Sequence, residues 1–238
     1  KNSDASLVYL SLPNSMHFSW AKEVLKNGYH LLVDKPITTK LGELKQLMSI
    51  ANKKKLLLSE AVFYNYHDQF GYIKKFCGNL KNIEQLFVNF TIPTPKKNSL
   101  LSSIKFDGGA RMDMGSYAAS IHRIFFNEKV KKKDVIIKKN KNGLVTSFDI
   151  LFKYNTKILN GTFRFGGEYR NNIFIKLKDK TVEAERLFSP PDDINLIIKV
   201  NIGNKIKKIR IKKNNSFENY LLEVFKNINQ KKYNFYNS

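Results

Sequence analysis

Asp34-Lys35-Pro36 is the first place in this sequence where residue types and order suggest chemistry. A proline disfavours helix at the residue before it, so Lys35 is held extended and its ammonium becomes a positioned cation. A surface lysine in a turn would read the same way. A second pairing lies at Asp113 and Tyr117, four residues apart, which puts both side chains on one face if the segment is helical. A carboxylate and a phenol so placed suit hydroxyl binding and proton transfer. A tyrosine ordinarily ionises near pH ~10, and a cation within several ångströms would bring that down. The competing reading of Tyr117 is an aromatic on a buried helix face. His122 lies five residues beyond Tyr117, turned well away on a helix. Cys77 is the sole cysteine, so it forms no internal disulfide and lacks the paired neighbours of a zinc site. It fits a reducing, cytoplasmic setting.

The elements that would carry these groups follow from periodicity. Leu7 to Leu12 is a nearly continuous apolar run, the pattern of a strand buried on both faces, and Pro13 ends it. Ser15 to Asn27 carries Met16, Trp20, Val24 and Leu25 at helical spacing, with Asn14 placed as N-cap and Gly28 as stop. Tyr29 to Val33 is a second buried strand, so residues 7 to 33 read as a βαβ unit with a right-handed crossover. Lys35 then stands just beyond the carboxyl end of a parallel strand, where open α/β sheets bind ligands. A helix over 41–53 and a strand at Leu56-Leu57-Leu58 continue the pattern. From about residue 63 it changes. A helix over 69–76, a strand over 83–92, a polar loop over 93–107 and a helix over 114–126 come first. Strands over 135–138, 145–153, 157–165, 173–178, 195–200 and 205–212 follow, and a last helix over 217–228. The spacing therefore predicts a parallel α/β segment followed by an open, mostly antiparallel sheet with helices on one face.

With 42 Lys and Arg against 20 Asp and Glu, the formal charge is +22. That invites a nucleic-acid partner, but the basic residues are mostly Lys, dispersed among Asn, Ile and Phe, and no binding motif gathers them. Clusters such as Lys131-Lys132-Lys133 and Lys207-Lys208 fall between the strand-like segments. Solvated turns and edge strands there carry Lys against aggregation. No run approaches the ~20 apolar residues of a membrane-spanning helix.

Four motifs, in order, resemble one family. Leu7-Val8-Tyr9-Leu10-Ser11-Leu12-Pro13-Asn14 with His17, and then Gly28 to Pro36, are similar to the strand, Pro-Asn-x-x-His, helix and Glu-Lys-Pro pattern of the Gfo/Idh/MocA oxidoreductases. Asp34 here replaces the usual Glu. Glu60-Ala61-Val62-Phe63-Tyr64-Asn65-Tyr66-His67 resembles that family's Glu-Ala-Phe-Met-Tyr-Arg-Tyr-His segment in its glucose-fructose oxidoreductase-like branch. Asp107-Gly108-Gly109-Ala110-Arg111-Met112-Asp113-Met114-Gly115-Ser116-Tyr117 resembles Gly-Gly-Gly-Ala-Leu-Met-Asp-x-Gly-x-Tyr, and Phe188-Ser189-Pro190-Pro191 has counterparts in sugar-directed members.

The resemblance implies a Rossmann-type dinucleotide-binding remnant over 1–62 and a substrate-binding sheet domain over 63–238. It implies NAD or NADP as cofactor and hydride transfer to or from a hydroxyl or keto carbon of a sugar or sugar nucleotide. Lys35 and Tyr117 become the catalytic pair with Asp113 beside them. Pro13, Asn14, His17, Asp34, Lys35 and Pro36 become cofactor-side residues, with His17 buttressing the loop. Tyr64, His67, Asp113 and Tyr117 become substrate-side residues, although a hydrogen-bonded structural role suits His67 equally. Self-association through the second sheet is also implied. The family's Gly-x-Gly-x-x-Gly does not occur in this sequence, and the first strand corresponds to the family's fourth. The 238 residues alone are therefore expected to be a fragment that binds the dinucleotide weakly. Relatives usually run on past the last helix and return toward the first domain, and the Arg they often carry before the glycines is absent, with Lys105 the nearest cation. A degenerate, non-catalytic relative that serves as a dimerisation or binding module is the other reading.

Overall fold

The computed structural model describes residues 4–233. Its first sheet has three parallel strands in the order β1 (Leu7–Leu10), β2 (His30–Asp34) and β3 (Leu58–Ala61), with Leu7 beside His30 and Leu31 beside Leu58. Two helices connect them, α1 (Asn14–Lys26) and α2 (Leu41–Lys54). Ala21 and Leu25 from α1 and Leu47 and Ala51 from α2 bury against Leu10, Leu31, Val33 and Leu58 on one face of the sheet. β2 is apolar and buried on both faces because both are covered, whereas the edge strand β1 leaves Tyr9 exposed. Leu32, Leu57 and Ala61 point to the other face, which meets Tyr220 and Val224 of α5 (Ser216–Asn229), the last helix among the described residues. The return to the parallel sheet is thus made by α5 itself.

The second sheet has eight strands. β4 (Ile83–Ile92) lies near its middle, and β5 (Lys132–Lys139), β6 (Val145–Lys153), β7 (Ile158–Phe165), β8 (Arg170–Leu177), β9 (Thr181–Glu185), β10 (Leu196–Ile202) and β11 (Lys205–Ile211) follow in sequence. The order is β11-β10-β9-β8-β4-β7-β6-β5, with every neighbouring pair antiparallel except β4 and β7. Alternate residues such as Leu86, Val88 and Phe90 of β4 face a core closed by α3 (Asp68–Cys77) and α4 (Ala110–Phe125), through Ile73, Met114, Ile121 and Phe125. Among the described residues no helix is long and apolar enough to cross a membrane.

Several expectations need correction. Lys132 and Lys133 lie within β5 rather than between strands, and Lys207 and Lys208 lie within β11, inside the strand expected over 205–212. These are the two edge strands of the sheet, where charge discourages edge-to-edge pairing. β9 was not expected; its Thr-Val-Glu-Ala-Glu sequence buries only Val182 and Ala184, too weak an apolar signal to read as a strand. The helix expected from residue 114 begins at Ala110. Pro13, not Asn14, holds the cap position of α1, and no side chain caps it.

Candidate active site

β2 ends at Asp34 and delivers Lys35 to the carboxyl end of the parallel sheet. Asp113 and Tyr117 lie one turn apart near the start of α4. That start is fixed by Gly108 and Gly109. A Cβ on Gly108 would stand 2.5 Å from the Leu100 carbonyl oxygen. Gly109 adopts a φ of 99° and a Cβ there would meet the Val145 oxygen at 2.9 Å, so both positions require glycine. The helix entry thereby passes close under two neighbouring backbone segments and aims its first turn at Lys35.

The three side chains meet. The Lys35 ammonium donates to the Asp113 carbonyl oxygen at 2.6 Å and to its carboxylate Oδ1. It also lies 5.0 Å from the centroid of the Tyr117 ring. Lys35 and Asp113 side chains are only 21% and 18% exposed. Burial by itself would lower the Lys35 ammonium. The charge Tyr117 carries when it ionises, the Asp113 charge and the Asp113 hydrogen bond outweigh it, so the group is held above the ordinary lysine range. For Tyr117 the balance falls the other way from the sequence expectation. Burial raises the phenol more than the Lys35 charge and hydrogen bond lower it, and Asp113 and Asp34 add to the rise. The free protein therefore holds Tyr117 as a neutral phenol, a proton donor, rather than a poised phenolate.

The surrounding residues hold this arrangement. Asp34 accepts from the Tyr9 hydroxyl and from Ser11 Oγ at 2.8 Å, so both its oxygens are tied to β1 and the loop after it. Buried His17 has its ring nitrogens 2.8 and 2.7 Å from the carbonyl oxygens of Pro36 and Leu12, which joins the loops that follow β1 and β2. Asn14 Nδ2 donates to the Asp107 carbonyl at 2.9 Å and so links α1 to the approach of α4. Glu60, at the end of β3, takes the Ile37 amide and the Ser116 hydroxyl on one carboxylate oxygen, each at 3.0 Å. It therefore ties the segment two residues past Lys35 to the residue before Tyr117.

A cleft of about 400 Å³ opens here, lined by Tyr9, Leu12, Asn14, Asp34, Lys35 and Ala61 on one side and by Phe63, Tyr64, Asp113, Tyr117 and Phe188 on the other. Tyr117 packs on Phe188, Phe90 and Tyr64, at centroid distances of 4.9, 5.5 and 5.6 Å. Tyr64 is buried and bonds Ser120 Oγ at 2.8 Å, and its burial raises its phenol. Of the expected residues, Asn14, Asp34, Lys35, Tyr64, Asp113 and Tyr117 line the cleft, while Pro13, His17 and Pro36 sit behind it. His67 does not line it. Its Nδ1 accepts from the Gln69 amide at 3.1 Å and caps α3, and burial lowers its imidazole more than Asp68 and Asn214 raise it. Glu60 and Phe188 were not singled out as site residues, although both stand within the motifs that carry the resemblance.

Comparison with known proteins gives the same picture. Residues 1–62 match the family described as "Oxidoreductase family, NAD-binding Rossmann fold". Two enzymes called dTDP-3,4-didehydro-2,6-dideoxy-alpha-D-glucose 3-reductase are similar. That of Streptomyces violaceoruber is 24% identical over 57% of this chain and 40% of its own. That of Actinomadura kijaniata is 24% identical over 79% of this chain and 58% of its own. The chain thus spans about half the length of these curated relatives. A crystal structure of a 3-ketoreductase from Actinomadura kijaniata with NADP and TDP-benzene superposes with a TM-score of 0.88 at 20% identity, over 98% of this chain and 73% of that one. The fold agrees along the whole described chain, and over residues 1–62 the sequence matches that family's NAD-binding Rossmann region.

Proposed function

We propose that this chain carries the proton-transfer site of an NAD- or NADP-dependent oxidoreductase that acts on a hydroxyl or keto carbon of a sugar nucleotide. The observation that carries the reading is the Lys35 ammonium, bonded to Asp113 and set over Tyr117, at the carboxyl end of a parallel sheet. Residues 1–62 would form the dinucleotide side and residues 63–238 the substrate side, with α5 reaching back from the second to the first. The cleft is within the size range of small-molecule sites, and Leu12, Asn14 and Asp34 give it a mixed polar and apolar wall that fits a nicotinamide riboside. When bound there, the nicotinamide supplies or accepts the hydride. Pro13, Asn14, His17, Asp34, Lys35 and Pro36 would hold that side.

Reduction needs a proton delivered to the carbonyl oxygen as its carbon is reduced, and Tyr117 is held as the neutral phenol that can deliver it. The phenolate left behind sits beside the Lys35 ammonium, which stabilises the charge as it develops. Asp113 fixes that ammonium and stands where a sugar hydroxyl can donate to it. Tyr64 closes the substrate side. In oxidation the same atoms run in reverse. Sugar-nucleotide reductases among the relatives support the substrate class. We also propose that the protein self-associates through the uncovered face of the second sheet, where Phe87 and Ile197 remain 40% and 51% exposed.

The test is turnover by the full-length protein of a 3-keto dTDP-sugar with NADPH and with NADH, followed by nicotinamide absorbance. Consumption that depends on both the keto sugar and Tyr117 supports the reading. Turnover unaffected by Tyr117→Phe would remove it.

A further inference from the structure

Tyr117 owes its orientation to Phe188, whose ring stacks on it at 4.9 Å and 26° and also meets Tyr64 at 5.1 Å and Phe90 at 5.3 Å. Phe188 belongs to no helix or strand. It follows β9 in an irregular stretch, so no ladder of backbone hydrogen bonds places it. What places it is Asn171, near the start of β8 and only 4% exposed. Asn171 Oδ1 accepts from the Phe188 amide at 2.9 Å. Its Nδ2 donates to Ser189 Oγ at 2.8 Å and to the Tyr169 hydroxyl oxygen at 3.0 Å. Both amide hydrogens and the amide oxygen are therefore used, and two of the three bonds go to consecutive residues of the segment that carries the ring.

The far end of this knot is also anchored. The Tyr169 hydroxyl lies 3.1 Å from Ser189 Oγ, and the Arg186 guanidinium sits 4.7 Å from the Tyr169 ring centroid. Burial would raise this phenol, but hydrogen bonds from Ser189, Asn171 and Arg186, together with the Arg186 charge, bring it below the ordinary range. Its oxygen is thus a good acceptor for Asn171. Arg186 holds a φ of 56°, a conformation unfavourable for a non-glycine residue that persists only where the surroundings determine it.

We propose that Asn171 is a positioning residue for proton transfer: through the Phe188 amide and the Ser189 hydroxyl it clamps the ring that holds Tyr117 buried against the cleft. This rests on the reading of Tyr117 as the proton donor. Loss of the clamp frees Phe188, lets Tyr117 move and wets its phenol, and displacements of about 1 Å cost on the order of 10²-fold in rate.

The experiment is a double-mutant cycle on the full-length protein. Asn171→Ala should lower kcat for the keto sugar nucleotide by roughly 10- to 10²-fold with little change in KM for NADPH. In a Tyr117→Phe background the same substitution should cost nothing further. A spectrophotometric titration supplies a readout independent of turnover. The phenol identified as the difference between Asn171-intact proteins with and without Tyr117 should titrate above the ordinary tyrosine range. In Asn171→Ala it should move down toward that range. If Asn171→Ala fails to fold, Asn171→Asp keeps the acceptor for the Phe188 amide and accepts from the Ser189 and Tyr169 hydroxyls where Asn171 donated to them, and it should keep both kcat and the Tyr117 titration near those of the parent. Equal losses from Asn171→Ala with and without Tyr117, an unmoved Tyr117 titration in folded Asn171→Ala, or a folded Asn171→Asp protein that loses kcat while its Tyr117 titration stays unmoved, would overturn the proposal. A fully active Tyr117→Phe enzyme would be the separate failure of the proton-donor reading.

Discussion

The two sides of the site are built by different means. Lys35 is placed by a short local segment: β2 ends, Pro36 follows, and Asp34, His17 and Glu60 pin the loops around it. Tyr117 is placed by side chains gathered from β4, from the turn after β3 and from the irregular stretch after β9, in the persons of Phe90, Tyr64 and Phe188. The first arrangement is polar and local, the second apolar and long-range. Charge sits on the side that sequence order fixes, and the proton donor's environment is set by residues up to 71 positions away, from Phe188 to Tyr117. The electrostatic pull of Lys35 on Tyr117 is accordingly outweighed by the burial that the aromatic side imposes.

Removing the donor breaks the comparison most directly. Tyr117→Phe should lower kcat for keto-sugar reduction by on the order of 10² to 10⁴, the usual share of a general acid. The stacking on Phe188 survives in the variant, so its thermal midpoint should hardly move. A large loss of stability with a small loss of rate would mean that Tyr117 is there for packing.

Lys35→Met should do harm of similar order to kcat and carries a pH signature. Tyr117 is raised above its ordinary value, so its phenol stays protonated through the neutral range. Reduction, which needs the protonated form, should be flat there and fall only as pH climbs through the raised value. The Lys35 charge is a lowering influence on Tyr117, so its removal should shift the fall to still higher pH. A shift of the alkaline limb to lower pH would show that Lys35 does not act on this phenol.

How much of this was legible in the sequence follows the same division. The βαβ unit, the motif glycines and the Lys35, Asp113 and Tyr117 set were readable because each lies in a short segment with its own periodicity or steric demand. The sign of the Tyr117 shift was not. It depends on how deeply Phe188, Phe90 and Tyr64 bury the ring, and that is decided by strand order in the second sheet. His67 stood beside Tyr64 in the motif, but the turn over 64–66 sends its ring to cap α3. Glu60 looked like the end of a strand, and its acceptance of the Ile37 and Ser116 protons needed three segments in one place.

Glu60 joins the two sides, and its loss should be smaller than that of either charged partner. Glu60→Ala leaves the partly buried Ile37 amide and Ser116 hydroxyl without an acceptor, at about 1 to 3 kcal/mol for such a group. Chemical denaturation should show that loss, and Glu60→Gln, which keeps an acceptor oxygen, should recover most of it. Equal stability of the Ala and Gln variants would remove Glu60 as a tie between the loop of Lys35 and the helix of Tyr117.

The smallest effect concerns Asn14, where two roles make opposite predictions. As an N-cap, its side-chain oxygen would accept from the first turn of α1, and Asp would serve equally well there. In the structure its amide nitrogen instead donates to the Asp107 carbonyl oxygen at 2.9 Å, across to the approach of α4. A carboxylate cannot donate in that position and would set two oxygens against each other. Asn14→Asp should therefore destabilise the protein by about 1 kcal/mol, the net value of one hydrogen bond, and by no less than Asn14→Ala. Thermal or denaturant midpoints of the two variants decide it. An Asp variant as stable as the parent would return Asn14 to the cap and remove one of the bonds that hold the two halves of the site together.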